Sequence, residues 1–422
     1  MLTLRKICLG LAVAGLFGVL AGVVLGSPAL WSPAAVIAAA GLAIGLGALP
    51  AWKGYQYTGW IIAAVVAAMI YPETFLHWGS VDLRNKWLVL VVVQLVMFGM
   101  GTQMSLKDFV GVMKMPWGVV VAVGCQFFVM PLTGFLLIKV FTLPPEIAAG
   151  VILIGSCSSG LASNVMCFIA RANLALSITA TAVATLLAPL MTPLWMKLLA
   201  GELVHVDFLG MMTQIIKIVI VPIAAALLHD QLKTSGPAFR RRVNGLAVAG
   251  VLWIAALALG GWAWFAAHLG ANALLVPEMV TFAFGAVIFG LIYHVVAMRL
   301  PVLDKWMPLA SMAGIVYFTT VTTAAGRDDL LMVGGVLMMV AILHNTAGYF
   351  FGYGLARACR LDVASARAVA IEVGLQNGGM ASGLAGAMGK LGTVGLASAV
   401  FSPWMNISGS VLANAWRRRP SG

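Results

Sequence analysis

Glu372 lies in the run AIEVGLQNGG at 370–379, ten residues past Asp362, and every other acid of the chain sits near the end of an apolar stretch or between two of them. Placing a carboxylate deep in an apolar medium costs about 2.5–3.5 kcal/mol on insertion scales. A partner is therefore required. No Lys or Arg falls at comparable depth in a neighbouring polar interruption, which leaves a bound cation or a proton. Oxygen donors recur in the same kind of setting. Ser163 and Asn164 follow the run GSCSSGLASN, Ser177 and Thr181 are four residues apart, Gln126 interrupts an apolar stretch, and Gln376 and Asn377 follow Glu372. Residues four apart share a helix face. Hydroxyl, amide and carboxylate oxygens without sulfur or imidazole suit a hard ion. Taken singly, each Ser or Thr also reads as a helix-packing residue; grouped with Glu372 they read as an ion site.

Other chemistries fit less well. His77, His205, His229 and His268 fall near the ends of apolar runs, while His294 and His344 lie on different runs, so no metal-ligand spacing results. Cys8, Cys125, Cys157, Cys167 and Cys359 read as small buried residues, not as disulfides or ligands. A serine hydrolase needs a nucleophile paired with a base; no His accompanies the Ser-rich run, and no G-x-S-x-G occurs at 155–160. An intramembrane aspartyl protease needs two deep Asp residues, which are absent. The expectation is a protein without catalysis or an organic cofactor. A receptor built on the same plan would need a signalling domain, and no window is polar enough for one.

The elements that position these residues follow from composition. Of 422 residues, 62% are hydrophobic and 9% charged, against about 25% charged in soluble domains; mean hydropathy is +1.03. Soluble, disordered, collagenous and disulfide-stapled classes are excluded, and an all-α polytopic membrane protein remains. Apolar stretches at 5–26, 33–50, 57–72, 84–103, 116–142, 146–171, 175–199, 209–229, 245–268, 274–298, 306–324, 330–356, 364–389 and 391–416 predict fourteen spans. The first reads as an uncleaved span, not a signal peptide. With the N-terminus inside, eighteen of the 25 basic residues fall in or beside inner loops, Lys53, Arg171 and Arg367 among them. The net charge of +12 therefore speaks for orientation in a bilayer and against nucleic acid, and both termini are expected in the cytoplasm, with a cell (inner) membrane as the location.

Seven spans in each half would invert the second half relative to the first, the plan of many secondary transporters. The sixth span of each half is the Gly-rich polar one. Broken backbone in hydrocarbon needs protein, water or ions to satisfy it, so matched breaks in inverted halves point to a midplane binding site.

Five stretches carry a resemblance: GSCSSGLASNVMCFIARANLALSITATAVATLLAPLMTP at 155–193, AIEVGLQNGGMASGL at 370–384, GCQFFVMPL at 124–132, ILHNTAGYFFGY at 342–353 and WMNISG at 404–409. They resemble the bile acid:sodium symporter family over roughly 57–229 and 306–416. The resemblance implies a ten-helix unit with core and panel domains and two crossed discontinuous helices. It implies one sodium site at Ser163, Asn164, Ser177, Thr181 and Glu372. A second is implied at Gln126, Glu372, Gln376 and the carbonyls of Val373 and Leu375. Asn377 and Asn406 match polar residues near the family's substrate cavity. Leu161 and Met405 stand where the family carries a hydroxyl and a histidine, so the substrate side departs from the pattern. The implied activity is sodium-coupled import of an organic anion by alternating access; proton-coupled or uncoupled transport on the same fold is the alternative. The implied partners are sodium, a small organic anion and the lipid bilayer. The expected organisation is 1–56 additional N-terminal helices, 57–229 the first part of the symporter unit, 230–305 a cytoplasmic loop with an inserted helix pair, and 306–422 the second part.

Overall fold

A computed structural model describes residues 2–49, 52, 55–270 and 273–419. Lys53, one of the expected inner charges, lies outside the described residues. Each of the fourteen apolar windows is helical. Nine helices among the described residues are long and apolar enough to cross a membrane, and ten if one pair bent by 58° counts as a single span. The chain is a multi-pass membrane protein.

The N-terminal pair is α1 (Leu2–Val24) and α2 (Pro28–Gly45). Small residues let their backbones approach: a Cβ on Gly15 would meet the Ala38 nitrogen at 2.8 Å. The pair leans on α3 (Gln56–Ile70), which leads to the short α4 (Pro72–Leu76) and a hairpin of β1 (His77–Trp78) and β2 (Val81–Asp82). At the hairpin Arg84 Nε donates to Asp82 Oδ1 at 3.0 Å, and this bond holds the Asp82 carboxyl below its ordinary pKa.

Next come α5 (Lys86–Gly101), α6 (Leu106–Lys114) and α7 (Pro116–Val140). The window at 146–171 splits into α8 (Pro145–Ser156) and α9 (Leu161–Ile169). After α10 (Leu174–Ala200), α11 (Phe208–Ile215) runs through a π-helical turn at Ile216–Ile220 into α12 (Val221–Thr234). Then follow α13 (Pro237–Ala256), α14 (Trp262–His268), α15 (Leu275–Arg299), α16 (Val302–Ala325) and α17 (Arg327–Ala358). The window at 364–389 also splits, into α18 (Val363–Gly374) and α19 (Gly378–Ala387), and α20 (Val394–Arg417) closes the chain.

The main buried cluster lies where α7, α8, α10, α18, α19 and α20 meet. The two broken helices are its centre, and their residues from Ile147 to Gly160 and from Ser365 to Gly386 are buried almost without exception. One expected loop charge is a correction: Arg367 is 5% exposed on α18, with its guanidinium over the Trp416 ring at 5.7 Å. Stacking on an aromatic face satisfies a cation that the sequence places one turn into a helix.

Candidate functional site at the crossing of two broken helices

The first break spans Cys157–Gly160 and the second Leu375–Asn377. Ser and Gly are weak helix formers, and here each break finds its backbone partner in the other. Ser159 and Gln376 form an isolated antiparallel bridge. Asn377 N donates to Ser158 O at 2.8 Å, and Gly160 N donates to Leu375 O at 3.2 Å. Side chains satisfy the remaining carbonyls: Gln126 Nε2 donates to Cys157 O at 2.9 Å, Gln376 Nε2 to Val373 O at 2.8 Å and Asn345 Nδ2 to Gly374 O at 2.7 Å. The backbone is thus paired inside the protein, as non-helical chain at membrane depth requires. Gly160 is needed for the approach, since a Cβ there would press on Gln376 O at 3.3 Å.

Glu372 stands nine residues into α18, about 14 Å along the axis at 1.5 Å per residue, and is 2% exposed. Four hydroxyls surround its carboxylate. Ser159 Oγ donates to Oε2 at 2.5 Å, Thr181 Oγ1 donates to Oε2 at 2.8 Å, Ser163 Oγ donates to Oε1 at 2.5 Å, and Ser177 Oγ also reaches Oε1. Asn164 Oδ1 lies 2.8 Å from Ser177 Oγ and 3.4 Å from Thr181 Oγ1. The first expected set is therefore gathered in one place, from α9, α10 and α18. Among the described residues no Lys, Arg or His nitrogen forms an ion pair with Glu372. Hydroxyl groups answer either charge, because each has one O–H to donate and lone pairs to offer a cation.

The second expected set divides. Gln126 Nε2 donates to Gln376 Oε1 at 2.7 Å, and both side chains are buried. Among the described residues Gln126 Oε1 is buried with no hydrogen-bond partner. The Val373 carbonyl lies in the last turn of α18 and the Leu375 carbonyl opens the break. No hydrogen bond joins Glu372 to Gln126 or Gln376 among the described residues; the link runs through Ser159, whose backbone pairs with Gln376 while its hydroxyl binds Glu372.

Of the expected substrate residues, Asn377 lies in the second break, Met405 packs beside it from α20, Asn406 follows on α20, and Leu161 directly follows the first break. Asn377 Oδ1 caps α19 by accepting from Met380 N at 3.0 Å, which leaves its amide N–H groups for a ligand. Ser402 and Met405 of α20 pack beside Gly378. Asn406 Nδ2 donates to Ser402 O at 2.8 Å, leaving its carbonyl oxygen. Leu161 opens α9, half-buried, directly after Gly160. A cavity of about 600 Å³ lies between α3 and α16, with Gln56, Tyr57 and Trp60 on one wall and Met312 on the other.

Sequence reasoning placed Ser159 in the break but not among the carboxylate's partners. Its spacing of four from Ser163 was the available signal, and the break removes the helical periodicity that would have given that spacing meaning. Histidines expected to stand apart do meet: the His229 and His294 rings are 5.3 Å apart. Among the described residues no group of three or more His, Cys, Asp or Glu side chains forms a metal cluster. The five cysteines are free thiols.

The sequence model of the Sodium Bile acid symporter family matches residues 90–265. An uncharacterized sodium-dependent transporter of Bacillus subtilis is 32% identical over 369 residues, which is 87% of this chain and 92% of that protein. The chain belongs to the sodium bile acid symporter family. A probable chloroplastic sodium/metabolite cotransporter of Arabidopsis thaliana is 29% identical over 85% of this chain and 72% of its own length. The ileal sodium/bile acid cotransporter of Homo sapiens is 40% identical over 129 residues, 30% of this chain and 36% of that protein. The symporter-family match takes in Gln126, the first break, Ser177 and Thr181 and stops before Glu372.

Proposed function

We propose that this chain imports a small organic anion by alternating access, coupled to sodium. The observation that carries this reading is Glu372: a buried carboxylate ringed by four hydroxyls, with no basic side chain paired to it among the described residues, at the crossing of two broken helices. Relatives named as sodium-dependent transporters and sodium cotransporters support the choice of ion. Sodium is cargo here, not a resident cofactor. One ion draws on Glu372, Ser163, Asn164, Ser177 and Thr181. The other draws on the orphaned Gln126 Oε1, on Gln376, and on the Val373 and Leu375 carbonyls, with the Glu372 charge behind the bridge. Sodium favours the arrangement in which both breaks are held together, and that arrangement presents the Asn377 amide beside Asn406, Leu161 and Met405 to a carboxylate or sulfonate.

Two sodium ions, one carboxylate and one monoanion sum to zero at the midplane. The cycle then carries one net positive charge inward, and the membrane potential adds about 2.3 kcal/mol per 100 mV. The core comprises α7–α10 and α17–α20, the panel α3, α5, α11–α12 and α16, and the two halves are inverted repeats. With α1, α2, α13–α14 and α15 added to this ten-helix unit, fourteen spans cross a cell (inner) membrane and both termini are cytoplasmic.

The test is uptake into proteoliposomes of radiolabelled taurocholate, pantoate and pyruvate, one at a time, under inward sodium, inward proton or no gradient, with potassium as control. Sodium-dependent, potential-stimulated uptake of any of them supports the proposal. Uptake that follows the proton gradient, or neither gradient, assigns the chain to the alternative coupling.

A further inference from the structure

The inserted helices α13–α15 pack on the symporter unit through α12 and α16, and α15 also reaches α5. Two polar ties hold α15. Near its start Lys217 Nζ donates to Glu278 Oε1 at 2.5 Å, and the same ammonium lies 5.5 Å from the centre of the Phe282 ring. Lys217 sits in the π-helical turn between α11 and α12, and its carbonyl accepts from Gln94 Nε2 at 3.1 Å. Near the other end the Tyr293 hydroxyl donates to Asp304 Oδ1 at 2.9 Å. Between these ties the helices do not close. A cavity of about 440 Å³ separates α15 from α5 and α12, with Phe282, Gly285 and Phe289 on one side and Phe98 and Ala225 on the other. The small residues create it: a Cβ added to Gly285 would meet nothing within 4 Å.

Its length and polarity identify an occupant. Glu278 lies in the first turn of α15 and Phe289 eleven residues further on, about 16 Å at 1.5 Å per residue. The groove begins one turn past Glu278, at Thr281; measured from Glu278 it covers half of the ~30 Å hydrocarbon thickness of a bilayer, the reach of one acyl chain in one leaflet. Its walls are apolar apart from Gln94, whose Nε2 is bonded to the Lys217 carbonyl, and Thr281, whose hydroxyl is already spent on Pro277 O and Trp253 Nε1. At the mouth the two charges differ in access: the Lys217 side chain is 8% exposed and that of Glu278 34%. The accessible charge is negative, and it complements a headgroup ammonium.

We propose that this groove holds one acyl chain of phosphatidylethanolamine, with the headgroup ammonium donating to Glu278. The site is independent of the transport reading. The bound lipid fills the space between the inserted helix and the symporter unit and makes them one packed body.

The test uses the full chain in nanodiscs of equimolar phosphatidylethanolamine, phosphatidylcholine and phosphatidylglycerol, released for native mass spectrometry. The expected result is one retained phosphatidylethanolamine per chain, about tenfold over either other lipid, the preference that one charge-assisted hydrogen bond confers. Glu278→Gln should keep a bound lipid and lose the preference. Gly285→Phe, which fills the groove, should lose the bound lipid, and Gly285→Leu reads the same quantity if the Phe variant does not fold. Equal retention of the three lipids by the wild type, a preference for phosphatidylglycerol, or wild-type retention in the filled variants overturns the proposal.

Discussion

Two glutamates on membrane helices meet opposite fates in this molecule. Glu278 has its cation built in: Lys217 reaches it at 2.5 Å, and a third of the acid's side chain remains exposed. Glu372 is 2% exposed and has hydroxyls in place of a cation. The protein answers the first charge from within, and that pair ties α15 to the turn before α12. The second it surrounds with hydroxyl oxygens, which under the proposed coupling take up and release sodium. A fixed lysine at Glu372 would satisfy the carboxylate and end any exchange. The contrast extends to packing. The crossing is filled so closely that a Cβ on Gly378 would meet Ser402 Oγ at 2.0 Å, whereas Gly285 in the inserted region has open space around it.

The largest expected effect tests the contrast itself. Glu372→Gln should bring sodium-driven uptake to background, while Glu278→Gln should leave it within about twofold and lower the melting temperature by several degrees, because the buried Lys217 ammonium loses its counter-charge. Equal loss of transport in both variants breaks the comparison.

Next in size is Gln126→Leu, which removes the orphaned acceptor and its bond to Gln376. The sodium dependence of uptake should lose its sigmoidal shape and the Hill coefficient should fall toward about 1, since one of two sites is gone. An unchanged Hill coefficient removes Gln126 from the ion path.

Ser159→Ala deletes one of four hydroxyls on the carboxylate. Sodium affinity should fall about tenfold, the size of one hydrogen bond to a charged group, with the maximal rate nearly kept. Isothermal titration with sodium reads this directly, and Thr181→Val should match it.

The smallest effects separate the packed region from the open one. Gly378→Ala should destabilise by about 1–3 kcal/mol through overpacking, and Gly285→Ala should leave the melting temperature unchanged or raise it slightly, since Ala is the better helix former. Reversal of that order would contradict the packing contrast.

Much of this was legible in the sequence because membrane helices obey few rules. The apolar windows are largely helix; the two rich in Gly, Ser and Asn break at 157–160 and 375–377, and the window at 245–268 kinks at Gly260. Glu372, Ser163, Ser177 and Thr181 were legible because hydrocarbon makes each polar residue conspicuous. Ser159 as a carboxylate partner was not, because a break has no periodicity from which to read direction. The bridge between Ser159 and Gln376 joins residues 217 positions apart, and no local pattern encodes such a pairing. The Lys217–Glu278 tie was hidden for the same reason, and Arg367 was misplaced because charge alone cannot tell a loop from an aromatic platform one turn into a helix.

The central claim is that Glu372 awaits a mobile sodium ion. Its most direct test is the melting temperature of the detergent-purified chain titrated with sodium, with potassium as control, for wild type and Glu372→Ala. A ligand of the folded state raises the melting temperature by mass action. The account predicts a sodium-specific rise in the wild type that disappears in the variant. A wild type indifferent to sodium, or a variant that responds equally, would contradict it.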